Sequence, residues 1–127
     1  MSKTHGMVWW TELMTGDVDA AVAYYSETCG WQFEPMPMPD GSTYQVGYRD
    51  GLPIVGISPT DTAEGAKPHW FSYFAVDDVD AAVAATKRAG GSVIQEPFDM
   101  PGTGRIAQVT DPTGAAVGLM TPEEQPG

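Results

Sequence analysis

The heptapeptide Asp17-Val18-Asp19-Ala20-Ala21-Val22-Ala23 recurs letter for letter as Asp78-Val79-Asp80-Ala81-Ala82-Val83-Ala84. The two copies are 61 residues apart in a chain of 127. A repeat at half the chain length implies two copies of one supersecondary unit. A unit of roughly 55–60 residues closes a core poorly by itself, so the copies are expected to build one domain together.

The pattern around each copy predicts the same order of elements. In the first, residues 7–15 read as a strand and Asp17 to Cys29 as a helix. Val18, Ala21, Val22 and Tyr25 form its apolar stripe, and Gly30 is placed to end it in the left-handed conformation. Strands follow near 31–36, 43–49 and 52–58, the last after the turn signal Asp50-Gly51. Residues 60–68 are small, polar and turn-rich, and read as a linker. The second copy restarts with a strand at 69–76 and a helix at 78–89. Strands at 92–97, 104–110 and 115–120 complete it, with a turn at Asp111-Pro112-Thr113-Gly114. The expected organisation is module one at 7–59, linker 60–68, module two at 69–121 and a tail at 122–127. The expected fold class is α+β: two βαβββ modules forming a curved eight-stranded cup.

Composition narrows the function classes. The net charge is −11, and the six Lys and Arg residues are scattered. Such a surface repels phosphate backbones and anionic lipid, which argues against nucleic-acid and membrane-surface binding. No apolar run approaches the ~20 residues that span a bilayer, and no leader pattern opens the chain. The single cysteine, Cys29, forms no internal disulfide and suits a reducing, cytoplasmic compartment.

Several motifs together resemble the vicinal oxygen chelate superfamily of glyoxalase I, bleomycin-resistance proteins and extradiol dioxygenases. Gly16-Asp17, Tyr24-Tyr25 and Gly30-Trp31 are similar to its first-module signature. Val76-Asp77-Asp78-Val79, Gly90-Gly91, Pro97, Gly104-Arg105 and Asp111-Pro112-Thr113-Gly114 are similar to its second. The likeness runs from about residue 7 to 120. It implies the cup-shaped fold, a small-molecule ligand and a homodimer.

In its metalloenzymes the family places His, Gln or Glu on the first and last strands of each module. Those side chains hold a divalent cation that acts as a Lewis acid or binds oxygen. The first-strand positions fall here on Trp10 and Phe71. The last-strand position falls on Gly118, and its counterpart is Gly56, or Ile57 if the alignment slips by one. None of these side chains donates to a metal. The expectation is therefore a metal-free cup with no cofactor, a divalent metal being the less favoured state. Aromatic rings at two positions and glycines opposite them suggest an apolar slot for a flat ligand.

Strand alternation places Trp10, Glu12 and Met14 on one face, and His69, Phe71 and Tyr73 on one face of the second module. Glu12 and His69 are the candidate acid–base groups, or ligands of a displaced metal. Their structural alternatives are an ion pair of Glu12 with Arg105 or Arg49, and a strand-capping His69. Arg105 is the cationic candidate for an acidic ligand group. His5 lies in a segment expected to fray. Met36, Met38, Phe98 and Met100, among prolines, suggest an adaptable lid or a dimer contact. The ligand-binding candidates are thus Trp10, Met14, Gly56, Phe71, Tyr73, Arg105 and Gly118. Four functions compete: a metal-free binder of an aromatic or amphipathic molecule, a lyase, isomerase or dioxygenase with shifted metal ligands, a metal-free acid–base enzyme, and a structural partner domain with a vestigial cup.

Overall fold

The computed structural model describes residues 2–39, 41–60 and 67–123. Most of the expected linker and most of the expected tail lie outside the described residues. Eight strands and two helices occur among the described residues, in the order β1 (Val8–Thr15), α1 (Val18–Cys29), β2 (Gln32–Pro37), β3 (Thr43–Arg49), β4 (Leu52–Pro59), β5 (His69–Ala75), α2 (Val79–Arg88), β6 (Ser92–Met100), β7 (Gly104–Thr110) and β8 (Ala116–Pro122). This is the twofold βαβββ order that the repeat implies, and its class is α+β.

The chain divides into two compact units, one within residues 10–71 and one within 1–9 and 72–127. The boundaries fall inside β1 and β5 rather than in the loops. In the second unit the start of the chain bonds to the end of β5: Gly6 N–H donates to Ala75 O (2.7 Å) and Ala75 N–H to Met7 O (2.9 Å). The expected fraying of this segment is corrected by the same contacts. His5 Nδ1 accepts from Asp77 N–H at 2.9 Å. Ser2 donates through both its N–H and its hydroxyl to the Asp77 carboxylate. Those Ser2 bonds, the side-chain one foremost, hold the Asp77 carboxyl below the usual carboxylate range.

In the first unit the sheet runs β2-β3-β4-β1, with β1 and β4 parallel and the other pairs antiparallel. Asp17 caps α1 by accepting from Ala20 N–H (3.1 Å), and Gly30 closes it at φ +73. Leu13, Val55 and Ile57 are buried. An aromatic cluster covers the helix side: Tyr25 stacks on Trp31 (5.4 Å between centroids) and meets Trp70 edge-on, and Trp31 meets Phe33. Tyr24, next to Tyr25 on α1, is 59% exposed.

The second unit repeats the order as β5-β8-β7-β6, with β5 and β8 parallel. Asp78 caps α2 by accepting from Ala81 N–H (3.2 Å). Val79 and Val83 of this helix pack with Ala107 and Val109, joined by Val76, Val93, Val117 and Leu119. Asp111 folds the predicted turn by accepting from Thr113 N–H (2.8 Å) and Ala115 N–H (3.1 Å).

The suggested lid is corrected in part. Met36 lies in β2, and Phe98 and Met100 lie in β6, with ladder partners Tyr44, Ile106 and Gly104. β2 and β6 end the sheet order of their units, where proline is tolerated because one edge needs no ladder donor.

Candidate functional site

Strand register settles which side chains share a face. In the first unit Glu12 pairs with Gly56, Gly56 with Val46, and Val46 with Glu34. Trp10, Glu12, Met14, Tyr44 and Met36 share that side by alternation. The opposite side carries Leu13, Val55, Ile57 and Phe33, which face α1 and its aromatic cluster. The Glu12 side is therefore the helix-free face of this sheet.

On that face three residues form a directed chain. Trp10 Nε1–H donates to the Tyr44 hydroxyl at 2.9 Å, and the Tyr44 hydroxyl donates to Glu12 Oε2 at 2.9 Å. Indole nitrogen can only donate, so the phenol oxygen must accept from it and spend its own proton on Glu12. All three side chains are half-buried. The Glu12 carboxylate is thus held against an aromatic wall and aimed by a phenol. Tyr44 was not anticipated from the sequence. The signal that could have found it is Gly56: a Cβ there would overlap the Tyr44 hydroxyl and ring.

The second unit has a related arrangement built from different residues. Tyr73 pairs with Gly118 across β5 and β8, and Gln108 pairs with Gly118 across β7 and β8. A Cβ at Gly118 would overlap the Tyr73 ring. Gln108 Nε2 donates to the Tyr73 hydroxyl at 3.1 Å. These registers resolve the open alignment. Glu12 and Tyr73 are 61 residues apart, like the helix repeat, and each faces a last-strand glycine. Gly56, not Ile57, is the counterpart of Gly118. The open space expected over the two glycines is corrected: Tyr44 fills one and Tyr73 the other.

The remaining candidates are not gathered with these groups. Arg105 lies on the same side of β7 as Ala107 and Val109, which is the helix side. Its guanidinium pairs with Asp80 of α2 (2.7 Å) and Asp99 of β6 (3.1 Å). It is therefore not a site cation beside Tyr73 and Gly118. These two carboxylates, Asp80 first, raise its already high pKa. Neither structural alternative for Glu12 names its recorded bond, which comes from Tyr44, and Arg49 pairs with Asp50 at 2.9 Å. His69 is exposed, with Nδ1 2.8 Å from Lys67 O, as a strand-capping histidine would be. Phe71 is half-buried, and its carbonyl lies 3.4 Å from the Thr11 hydroxyl that donates to it. A separate cleft in the second unit, about 300 Å³, is lined by Asp99, Met100, Pro101, Gly104, Arg105, Thr121 and Glu123.

These residues do not fit a divalent cation. The positions where the resemblance places the family's donors hold an indole, a phenyl ring and two glycines. Among the described residues no group of three His, Cys, Asp or Glu side chains is placed to hold a metal. Also among the described residues, no helix is long and apolar enough to cross a membrane.

Comparison with known proteins agrees with the fold. The model of the Glyoxalase/Bleomycin resistance protein/Dioxygenase superfamily matches residues 8–119. CFP32 of Mycobacterium bovis, whose name carries the word glyoxylase, is 41% identical over 113 residues, covering 87% of this chain and 43% of that protein. The anthracycline biosynthesis protein DauV of a Streptomyces species is 36% identical over 115 residues, covering 91% and 41%. The chain thus spans less than half the length of these two relatives. Methylmalonyl-CoA epimerase from Mycobacterium tuberculosis superposes with a TM-score of 0.70 at 15% identity, covering 98% of this chain and 93% of the other. At that identity the likeness is one of fold.

Proposed function

Because the chain belongs to the glyoxalase/bleomycin resistance protein/dioxygenase superfamily, we propose that it binds a small aromatic or amphipathic organic molecule and does so without a divalent metal. One observation carries the reading. Tyrosine rings fill the spaces over Gly56 and Gly118, and these glycines, with Trp10 and Phe71, stand where the resemblance puts the family's metal donors. What this leaves in the first unit is an aromatic and thioether surface of Trp10, Tyr44, Met14 and Met36, which suits a flat ligand. One relative, DauV, is named for anthracycline biosynthesis. The pairing of chains that the family resemblance implies, a homodimer, is part of the same proposal.

Metal analysis and thermal melts test it. Purified protein should carry no stoichiometric divalent ion, and Ni, Co, Mn, Fe or Zn in excess should leave the melting temperature unchanged. A bound metal at 100 times its Kd would add about 2.7 kcal/mol of stability, which a melt detects easily. A metal-raised melting temperature that His69→Ala abolishes would instead establish the displaced-ligand enzyme. The oriented Glu12 carboxylate favours a second reading, metal-free acid–base catalysis. That reading requires a rate that Glu12→Gln removes and a pH profile that reports one carboxylate.

A further inference from the structure

We infer that the C-terminal end of α1 seats a small organic ammonium ion against the aromatic cluster of the first unit. This site is on the helix side of the unit's sheet, so it goes beyond the ligand face proposed above and is tested separately. Three features converge on it.

The first is what the repeat changes. Past the shared heptapeptide, Tyr24, Tyr25, Ser26 and Glu27 stand where α2 has Ala85, Thr86, Lys87 and Arg88, 61 residues later. The last turn of α2 therefore carries two cations, and that of α1 carries none. A helix ends in carbonyl groups without intrahelical donors and in the negative pole of its dipole, and cations in the last turn offset both. In α1 a carboxylate replaces the arginine, and the helix end is left attractive to a cation from outside. The second is the rings. Tyr25 is the centre of an array: Tyr24 meets it edge-on at 4.9 Å and 84°, Trp70 at 5.4 Å and 81°, and Trp31 stacks on it at 19°. Trp70 Nε1–H donates to the Tyr25 hydroxyl at 3.2 Å, so the indole's one donor is used and its ring is held in place. Tyr24 and Trp70 are the exposed rings of the array. Aromatic faces attract cations and need no hydrogen-bond donor from them. The third is charge. Glu27 is exposed three residues after Tyr24, which makes the two neighbours on the helix surface. Among the described residues of this unit the cationic side chains are Arg49, paired with Asp50, and Lys67, exposed ahead of β5. The rings supply the contact, and Glu27 with the helix end supplies the sign. The occupant is a free solute, because a phospholipid headgroup would bring its phosphate beside Glu27.

Choline and its uncharged isostere 3,3-dimethyl-1-butanol test this by NMR titration of the indole N–H signals near neutral pH. Choline should shift the signals of Trp31 and Trp70 and leave those of Trp9 and Trp10 in place. It should bind about tenfold more tightly than the isostere, as a cation–π contact backed by a carboxylate predicts. Tyr24→Leu should weaken choline about fivefold, and Tyr24→Phe, which keeps the ring, should not. Glu27→Arg gives α1 the residue that α2 carries at the matching place and should abolish the preference for choline. Asp19→Asn removes one charge about 12 Å away along the same helix, beyond the screening length, and should change nothing. Phosphatidylcholine vesicles should leave the protein in solution on centrifugation. Absence of choline binding, equal affinity for choline and its isostere, a preference that survives in Glu27→Arg, or co-sedimentation with the vesicles each overturns the inference. None of these results bears on metal-free binding of a flat ligand at the helix-free face.

Discussion

Helices α1 and α2 begin with the same seven residues and finish in different surroundings. Both are capped by the first aspartate of the repeat. Yet α2 buries Val79 (1% exposed) and Val83 (4%), while α1 buries no residue at all. The identical letters fix what is local: cap, helix sense and apolar stripe. Burial is fixed by what the sheet and loops bring to that stripe. The second unit brings compact aliphatic groups, Val93, Ala107, Val109, Val117 and Leu119, which close over two valines. The first unit brings Tyr25, Trp31, Phe33 and Trp70, whose rings contact one another and leave Val18 and Val22 half-buried. The helix-free faces diverge in the same way. One carries the Trp10–Tyr44–Glu12 chain and a charge; the other carries Tyr73 and Gln108, both neutral. The second unit is the more closely packed, and the first carries the charged, hydrogen-bonded face.

The last-strand glycines give the largest test of that contrast. At Gly118 an added Cβ strikes the body of the Tyr73 ring, and Tyr73 is 8% exposed with little room to move. Gly118→Ala should cost about 3 kcal/mol in urea unfolding, the upper part of the usual range for overpacking a core. At Gly56 the Cβ strikes the hydroxyl end of a half-buried tyrosine that can swing outward. Gly56→Ala should cost about 1 kcal/mol and lose the Tyr44 bond to Glu12. Equal unfolding costs would erase the distinction between a packed and a chemical face.

Next in size is a matched pair on the repeat itself. Val22 and Val83 occupy the same place in the two heptapeptides. Val83→Ala removes two buried methyl-sized groups and should cost about 2 kcal/mol; Val22→Ala should cost about half of that or less. Denaturant midpoints of the two variants at constant m would decide it. A larger loss at Val22 would mean that the aromatic side of the first unit holds its helix as tightly as the aliphatic core holds the other.

The fold was legible because its signals are periodic and local. The heptapeptide gave the order of elements, Gly30 the end of α1, and Asp111 the turn between β7 and β8. The positions of Trp10, Gly56 and Gly118 could also be read, because motif spacing and strand pairing are regular. What could not be read were contacts between strands far apart in sequence. Tyr44 reaches Glu12 from 32 residues away and Trp10 from 34. Arg105 was misplaced because the helix-free and helix sides of β7 differ by a single step of alternation, and no motif anchored that step. A glycine likewise does not say whether it leaves room for a ligand or for a neighbour's ring; here it is the ring.

The smallest expected effect is electrostatic and belongs to the second unit. Arg105 ties α2 to the sheet through Asp80, and its hydrogen bonds, the largest influence, hold the Asp80 carboxyl below its ordinary value of 3.8. A carboxyl depressed by folding contributes stability above its unfolded pKa and loses that contribution as pH falls through the folded one. Below about pH 4 the wild-type protein should therefore lose part of its melting temperature through this group. Asp80→Asn should flatten the decline between about pH 5 and pH 2 and lower the melting temperature slightly near neutrality. The group is exposed and salt screens it, so the difference should shrink in about 1 M salt. Asp19, at the matching place in the first repeat, is exposed, and no arginine is recorded against it among the described residues. Asp19→Asn is the matched control for net charge. An equal flattening by both variants would assign the effect to net charge rather than to the Arg105 contact that distinguishes the two helices.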